Sequence, residues 1–166
     1  MNITIDKVPL KDKPILRNLM ELYLHDFTEF DRADINDNGV YGYAYLDEYW
    51  IKNGRYPFFV RVDRKLAGFV LVHREEEINT IAEFFVMRKY RRQGIGSEVA
   101  KRIFDLFPGN WNVLQEACNA PAQAFWRKVI AEYTDGKFIE RVWRSDEGKT
   151  GPMQEFRSPA MHVPGS

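Results

Sequence analysis

Between Tyr56 and Phe107 the hydrophobic period changes once, and that change limits the folds open to the chain. Three segments, YPFFVRVD (56–63), KLAGFVLVHRE (65–75) and INTIAEFFVMRK (78–89), have strand composition and short connections, which predicts an antiparallel meander. After Gln93 the spacing becomes helical. Ile95, Val99, Ile103 and Leu106 fall on one face, with Glu98, Lys101, Arg102 and Asp105 away from it. The last strand therefore runs into a helix through RRQGIG, and PGN (108–110) ends that helix.

The flanks complete the order. ITIDKV (3–8) alternates like a strand, and Ile15, Leu16, Leu19, Met20, Tyr23 and Phe27 predict an amphipathic helix from Pro14 to Phe27. A polar stretch precedes a short helix in LDEYWIKNG, stopped by Gly54. WNVLQEA (111–117) reads as a strand. Asn119 is placed to cap a helix with Ala122, Phe125, Trp126, Val129 and Tyr133 on one face, and KFIERVWRS and GPMQEFRS are the closing strands. The sum is an α/β (α+β) fold, a mixed sheet covered by helices. One domain over residues 1–158 is expected, with 159–166 a flexible tail.

Charge narrows the partners. Lys and Arg number 24 and Asp and Glu 24, so the basic excess usual in nucleic-acid binders is missing, and no nucleic-acid partner is expected. No apolar run approaches the ~20 residues that span a bilayer, and MNITIDKVPLKDKPIL is too charged for a signal peptide. A single cysteine, Cys118, fits a reducing compartment, so a cytoplasmic protein without a membrane partner is expected. As a lone thiol it is expected to be buried and inert.

Against that balance, Arg88, Lys89, Arg91 and Arg92 crowd the approach to Gly94 and Gly96. First-turn amides of a helix have no internal partner and carry about +0.5 charge, an arrangement that binds phosphate. Glycines there let a ligand approach the backbone, and arginines add charge-assisted contacts. A dinucleotide fingerprint would need a glycine where Val99 stands, and no P-loop G-K-[ST] follows. The glycine pair alone fits either a diphosphate cradle or a solvated basic turn.

Arg91-x-x-Gly94-x-Gly96 resembles the R/Q-x-x-G-x-G/A motif of the GNAT N-acetyltransferase superfamily, with Val86 placed as in that family. NAPAQAFW resembles its second motif, Asn-x-x-Ala-x-x-x-Tyr, with Asn119 and Ala122 in register. The resemblance covers nearly the whole domain. It implies about seven mostly antiparallel strands and about four helices, with the sheet splayed between the fourth and fifth strands.

It also implies acetyl transfer from acetyl-CoA, as cosubstrate, to a small-molecule or peptide amine, and it allows a homodimer. The pyrophosphate would sit at Arg91, Arg92, Gln93, Gly94, Ile95, Gly96 and Ser97, with Arg88 nearby; strand alternation sends at most one of Arg88 and Lys89 to the cofactor. A backbone N–H of Phe85 or Val86 would meet the thioester oxygen, and Asn119 and Phe125 would complete the cofactor wall. Glu83 stands where several members carry a base, and partial burial would raise its pKa. Trp126 stands where the family's tyrosine protonates the departing thiolate. An indole cannot deliver a proton near neutral pH, so an enzyme without that acid is expected. Tyr133, about two turns on, does not replace it. The alternative is an acyl-CoA-binding sensor or partner-binding module with little activity.

Asp26, Glu29, Tyr41 and Tyr43 are the candidate acceptor residues, because acids beside aromatics suit a cationic amine; a solvated loop over packed tyrosines fits the same residues. No metal is expected. DINDNG imitates a calcium loop, but Tyr45 stands where a bidentate glutamate is required, and His25, His73 and His162 are scattered.

Overall fold

Two hairpin connections set the meander. Asp63 and Arg64 (φ 48° and 71°) join strand β2 (Arg55–Val62) to β3 (Lys65–Glu75), and Glu76 and Glu77 (φ 50° and 64°) join β3 to β4 (Ile78–Val86). Positive φ at both central residues is the type I′ geometry that matches strand twist, reached here without glycine. The computed structural model describes residues 1–160. Most of the expected tail, and His162, lie outside the described residues.

The remaining elements follow the expected order: β1 (Ile3–Lys7), α1 (Lys13–Asp31) and α2 (Glu48–Ile51) before the meander, then α3 (Ile95–Leu106), β5 (Gly109–Leu114), α4 (Ala120–Thr134), β6 (Ile139–Arg144) and β7 (Thr150–Ser158). The seven strands form one open mixed sheet in the order β1-β2-β3-β4-β5-β7-β6. β5 pairs with β4 in parallel over three positions, Ile78↔Asn110 to Thr80↔Asn112, so that register stops well before β4 ends. The α/β fold read from the sequence is the fold observed.

Contacts divide the chain into two units. The first holds residues 1–72 and 82–91, with β1 antiparallel to β2 from Ile3↔Val62 to Lys7↔Phe58. Its core gathers Leu16, Leu19 and Met20 of α1 with Phe59, Phe69, Leu71 and Phe85. Each such side chain, once buried, contributes about 1.5–3 kcal/mol. Helix α1 runs four residues past Phe27, because Phe30 continues the ring packing (Phe27–Phe30 5.7 Å) and no breaker precedes Arg32. Arg32, at φ 56°, ends it by donating its N–H to the Thr28 carbonyl. Gly68 lies where β3 crosses β4: a Cβ there would overlap the Phe85 carbonyl.

The second unit holds residues 73–81 and those from Arg92 onward. Phe104 is its centre, with ring centroids of Phe156, Trp111, Tyr133 and Trp126 at 4.8, 5.0, 5.2 and 6.2 Å. The buried face of α3 is Ile95, Val99, Ala100, Ile103 and Phe104; Leu106, expected on it, is exposed in the last turn. β5 begins at Gly109, two residues earlier than expected, because Gly109 and Asn110 already pair with Ser158 and Arg157 of β7.

Candidate active site

In the first unit Glu83 points off β4 toward two phenols. Tyr43 Oη donates to Glu83 Oε1 at 3.3 Å, and Tyr23 Oη donates to Oε2. Tyr23 is held by edge contacts to Phe69 and Phe85, both at 5.6 Å. Burial, and then the Glu83 charge, push the Tyr43 hydroxyl pKa well above the ordinary phenol range; Tyr49 is pushed up by burial and then by Glu83 as well. Both phenols stay protonated at neutral pH, and Tyr43 serves as a fixed donor to the carboxylate.

Glu21 of α1 fixes the loop that carries Tyr43. It accepts the N–H groups of Tyr41 at 2.6 Å and Gly42 at 3.0 Å. Sequence reading missed this residue, since a glutamate on an amphipathic helix resembles any solvated one. The Tyr41 hydroxyl lies 3.0 Å from His25 Nδ1, and Glu29 is exposed on α1. Of the four candidate acceptor residues, only Tyr43 touches Glu83 in this structure.

Asp26, placed among the acceptor residues by the sequence, pairs instead with the two arginines assigned to the cofactor. Arg88 Nη2 donates to Asp26 Oδ1 at 2.8 Å, and Arg91 Nη2 donates to Oδ2. Burial would raise the Asp26 pKa, but the hydrogen bonds and charges of Arg91 and Arg88 outweigh it and hold the carboxyl below its ordinary range. Arg91 Nε also donates to the Val86 carbonyl at 2.7 Å.

That bond reports on the end of β4. The Met87 N–H donates to Ala67 of β3 at 2.7 Å, and peptide groups of a strand alternate sides. The N–H and C=O of Val86 are therefore directed away from β3. Of the two backbone N–H groups expected as donors, those of Phe85 and Val86, that of Val86 is the one directed away from β3. The Phe85 side chain is core.

In the second unit Gly94, at φ 77°, caps α3, and its carbonyl accepts the Glu98 N–H at 3.1 Å. Arg92 also has positive φ, 60°, so the chain turns twice before the helix begins. A Cβ on Gly94 would meet nothing within 4 Å, so the conformation, not crowding, requires glycine there. Arg92 and Gln93 are exposed, Ile95 is buried, and Gly96 and Ser97 are half-buried in the first turn. This loop and helix start fit a phosphate group, as backbone N–H groups at a helix N-terminus do.

A protein-family model described as the Acetyltransferase (GNAT) family matches residues 16–130, more than half of the chain. The chain belongs to the GNAT family. It is an acetyltransferase by that membership, and the resemblance of its two motifs is thereby confirmed at the level of the family. No curated protein matches its sequence.

Solved structures agree on the GNAT fold. The ribosomal-protein-S18-alanine N-acetyltransferase of Escherichia coli superposes with TM-score 0.62 at 16% identity, covering 99% of each chain. An acetyltransferase from Thermus thermophilus gives 0.68 at 15% identity, covering 93% of this chain and 96% of its own. Spermidine N-acetyltransferase of Vibrio cholerae, crystallised with CoA and spermine, gives 0.62 at 12%, covering 94% and 95%.

The second GNAT motif serves the helix start. Asn119 Oδ1 accepts the Ala122 N–H at 3.1 Å, a cap that contributes about 1 kcal/mol. Trp126 is buried, 6% exposed, with its ring edge-on to Phe125 at 4.9 Å. Tyr133 donates to Asp105 at 2.7 Å and lies 2.8 Å from Ser158 Oγ, so its hydroxyl is committed to holding α4. Cys118, expected buried, is exposed in the turn before α4, with Sγ 3.8 Å from Glu116. Among the described residues no group of three or more His, Cys, Asp or Glu could hold a metal ion, and no helix is long and apolar enough to cross a membrane.

Proposed function

We propose that this GNAT chain transfers an acetyl group from acetyl-CoA to a primary amine by direct attack on the thioester, with Glu83 as base. The observation that carries the proposal is the Glu83 carboxylate fixed by Tyr23 and Tyr43, three positions before a Val86 amide directed away from β3. Acetyl-CoA supplies the activated acyl carbon. Glu83 accepts a proton from the ammonium, directly or through one water, because an amine with pKa about 10.4 is otherwise mostly protonated. The Val86 N–H donates to the carbonyl oxygen as it gains charge. In the second unit, Gly94 to Ser97 offer first-turn amides to the diphosphate, with Arg92 contributing charge.

No tyrosine occupies the usual acid position. A thiol pKa of about 8.5 makes the thiolate a tolerable leaving group, with water returning its proton. Residues 1–158 act as one acetyltransferase domain in this proposal. The acceptor is a small or peptide amine, consistent with V. cholerae spermidine N-acetyltransferase and the E. coli ribosomal-protein-S18-alanine N-acetyltransferase sharing the fold. Balanced charge and a single cysteine support a cytoplasmic setting without nucleic-acid or membrane partners.

A second reading, an acyl-CoA sensor with little turnover, is favoured by one observation, the buried Trp126. A CoA-release assay with polyamines, aminoglycosides, amino acids and peptide N-termini separates the two. Release with any of these amines supports the enzyme. Tight acetyl-CoA binding without release on any of them supports the sensor.

A further inference from the structure

The sequence divides Asp26 and Arg91 between acceptor and cofactor, and the structure joins them in one chain of contacts. Asp26 sits on α1, paired with Arg88 and Arg91, with its side chain 22% exposed. Arg91 divides its guanidinium: Nη2 goes to Asp26 and Nε to the Val86 carbonyl at 2.7 Å. Its Cζ also lies 5.8 Å from the Phe85 ring centroid. The arginine is thus held on three sides, and a planar guanidinium so held has one orientation. Its remaining task is visible at Val86. That carbonyl faces away from β3, beyond the last β5 pairing at Thr80, and receives the arginine instead of a strand.

We infer that Asp26 is a positioning residue for the thioester end of β4: it orients Arg91, and Arg91 pins the Val86 carbonyl, whose residue's N–H donates to the thioester oxygen. This rests on the proposed acetyl-CoA reading. It moves Asp26 from the acceptor side to the thioester side, and it makes Arg91 a backbone clamp before it is a phosphate ligand. The depressed Asp26 pKa agrees, since a charged carboxylate is the form that holds two arginines. Lysine at 91 would not replace the arginine, because one ammonium lacks the fork that reaches both Asp26 and Val86.

The test is calorimetric titration of the full chain with acetyl-CoA and, separately, with CoA, which lacks the thioester carbonyl. Wild type binds acetyl-CoA more tightly than CoA. Asp26→Asn and Arg91→Lys each reduce that preference by about three- to tenfold, the range of one hydrogen bond, and the double variant reduces it no further. Asp26→Glu retains part of the preference, which a merely structural loss would not restore. Unchanged preference in Asp26→Asn, additive losses in the double variant, or no wild-type preference would each overturn the inference while leaving acetyl-CoA binding intact. A wild type that binds neither ligand overturns the proposed function together with it.

Discussion

Tyr43 reaches Glu83 from 40 positions earlier in the chain and donates its phenolic proton to Oε1 at 3.3 Å. The pairing joins a loop tied down by Glu21 to the strand that carries the candidate base. A carboxylate with a fixed hydrogen-bond donor on each oxygen is held in one orientation, from which it can accept a proton.

Glu83→Gln is expected to lower kcat about 10²–10⁴-fold, the usual worth of a positioned base, with the acetyl-CoA dissociation constant unchanged. Tyr43→Phe should cost less, about tenfold, since one donor to the carboxylate remains. Steady-state kinetics on an amine identified by the release assay checks both. A Glu83→Gln enzyme with undiminished kcat would remove Glu83 from the mechanism.

Gly94→Val should weaken acetyl-CoA binding far more than Lys89→Ala. A β-branched residue at φ 77° is strained, although there is open space for its side chain, and relief of that strain moves the start of α3. Lys89 is exposed and engages the Tyr90 ring at 5.4 Å. Equal effects, measured by titration calorimetry, would remove the helix-start cradle.

Trp126→Phe and Trp126→Tyr are both expected to leave kcat within about twofold, because a leaving thiolate of pKa about 8.5 needs little help. Trp126→Phe should still lower stability by about 1–3 kcal/mol, from the space left beside Phe104. A large rise in kcat for Trp126→Tyr would show that the missing acid limits turnover.

Alkaline unfolding should depend on Tyr133. Burial and then the Asp105 contact, against the opposing Ser158 hydrogen bond, leave its pKa pushed up to about 12. A phenol whose folded pKa exceeds its unfolded value of about 10 contributes stability that is complete below pH ~10 and lost as pH rises through the folded pKa. Denaturation across that window should show a smaller loss in Tyr133→Phe than in wild type. Identical slopes would contradict the assignment.

The order of strands and helices was legible because strand and helical periods differ, and because the RRQGIG junction and the Asn119 cap are local signals. Glu83 and Tyr43 were each legible as residue types in a motif or a loop, whereas their contact was not. The same holds for Asp26 and Arg91, which lie 65 positions apart. Nothing local says that an acid on a helix and an arginine after a strand will neutralise each other. Local chemistry also misjudged Cys118, since burial of a small thiol depends on what the turn around it faces. Val86 could be separated from Phe85 only once Met87 had a known partner on β3.

The tight backbone crossings at Gly68 and Gly151 set these two glycines apart from those that stand in open space. Selection for function from a randomised library should return glycine at 68 almost without exception, since even alanine would press its methyl group into the Phe85 carbonyl. At Gly39 and Gly42, where φ is positive but a Cβ would meet open space, asparagine and aspartate should survive alongside glycine. The pattern of survivors would map where two backbones touch, and it would do so beside the segment that carries Val86.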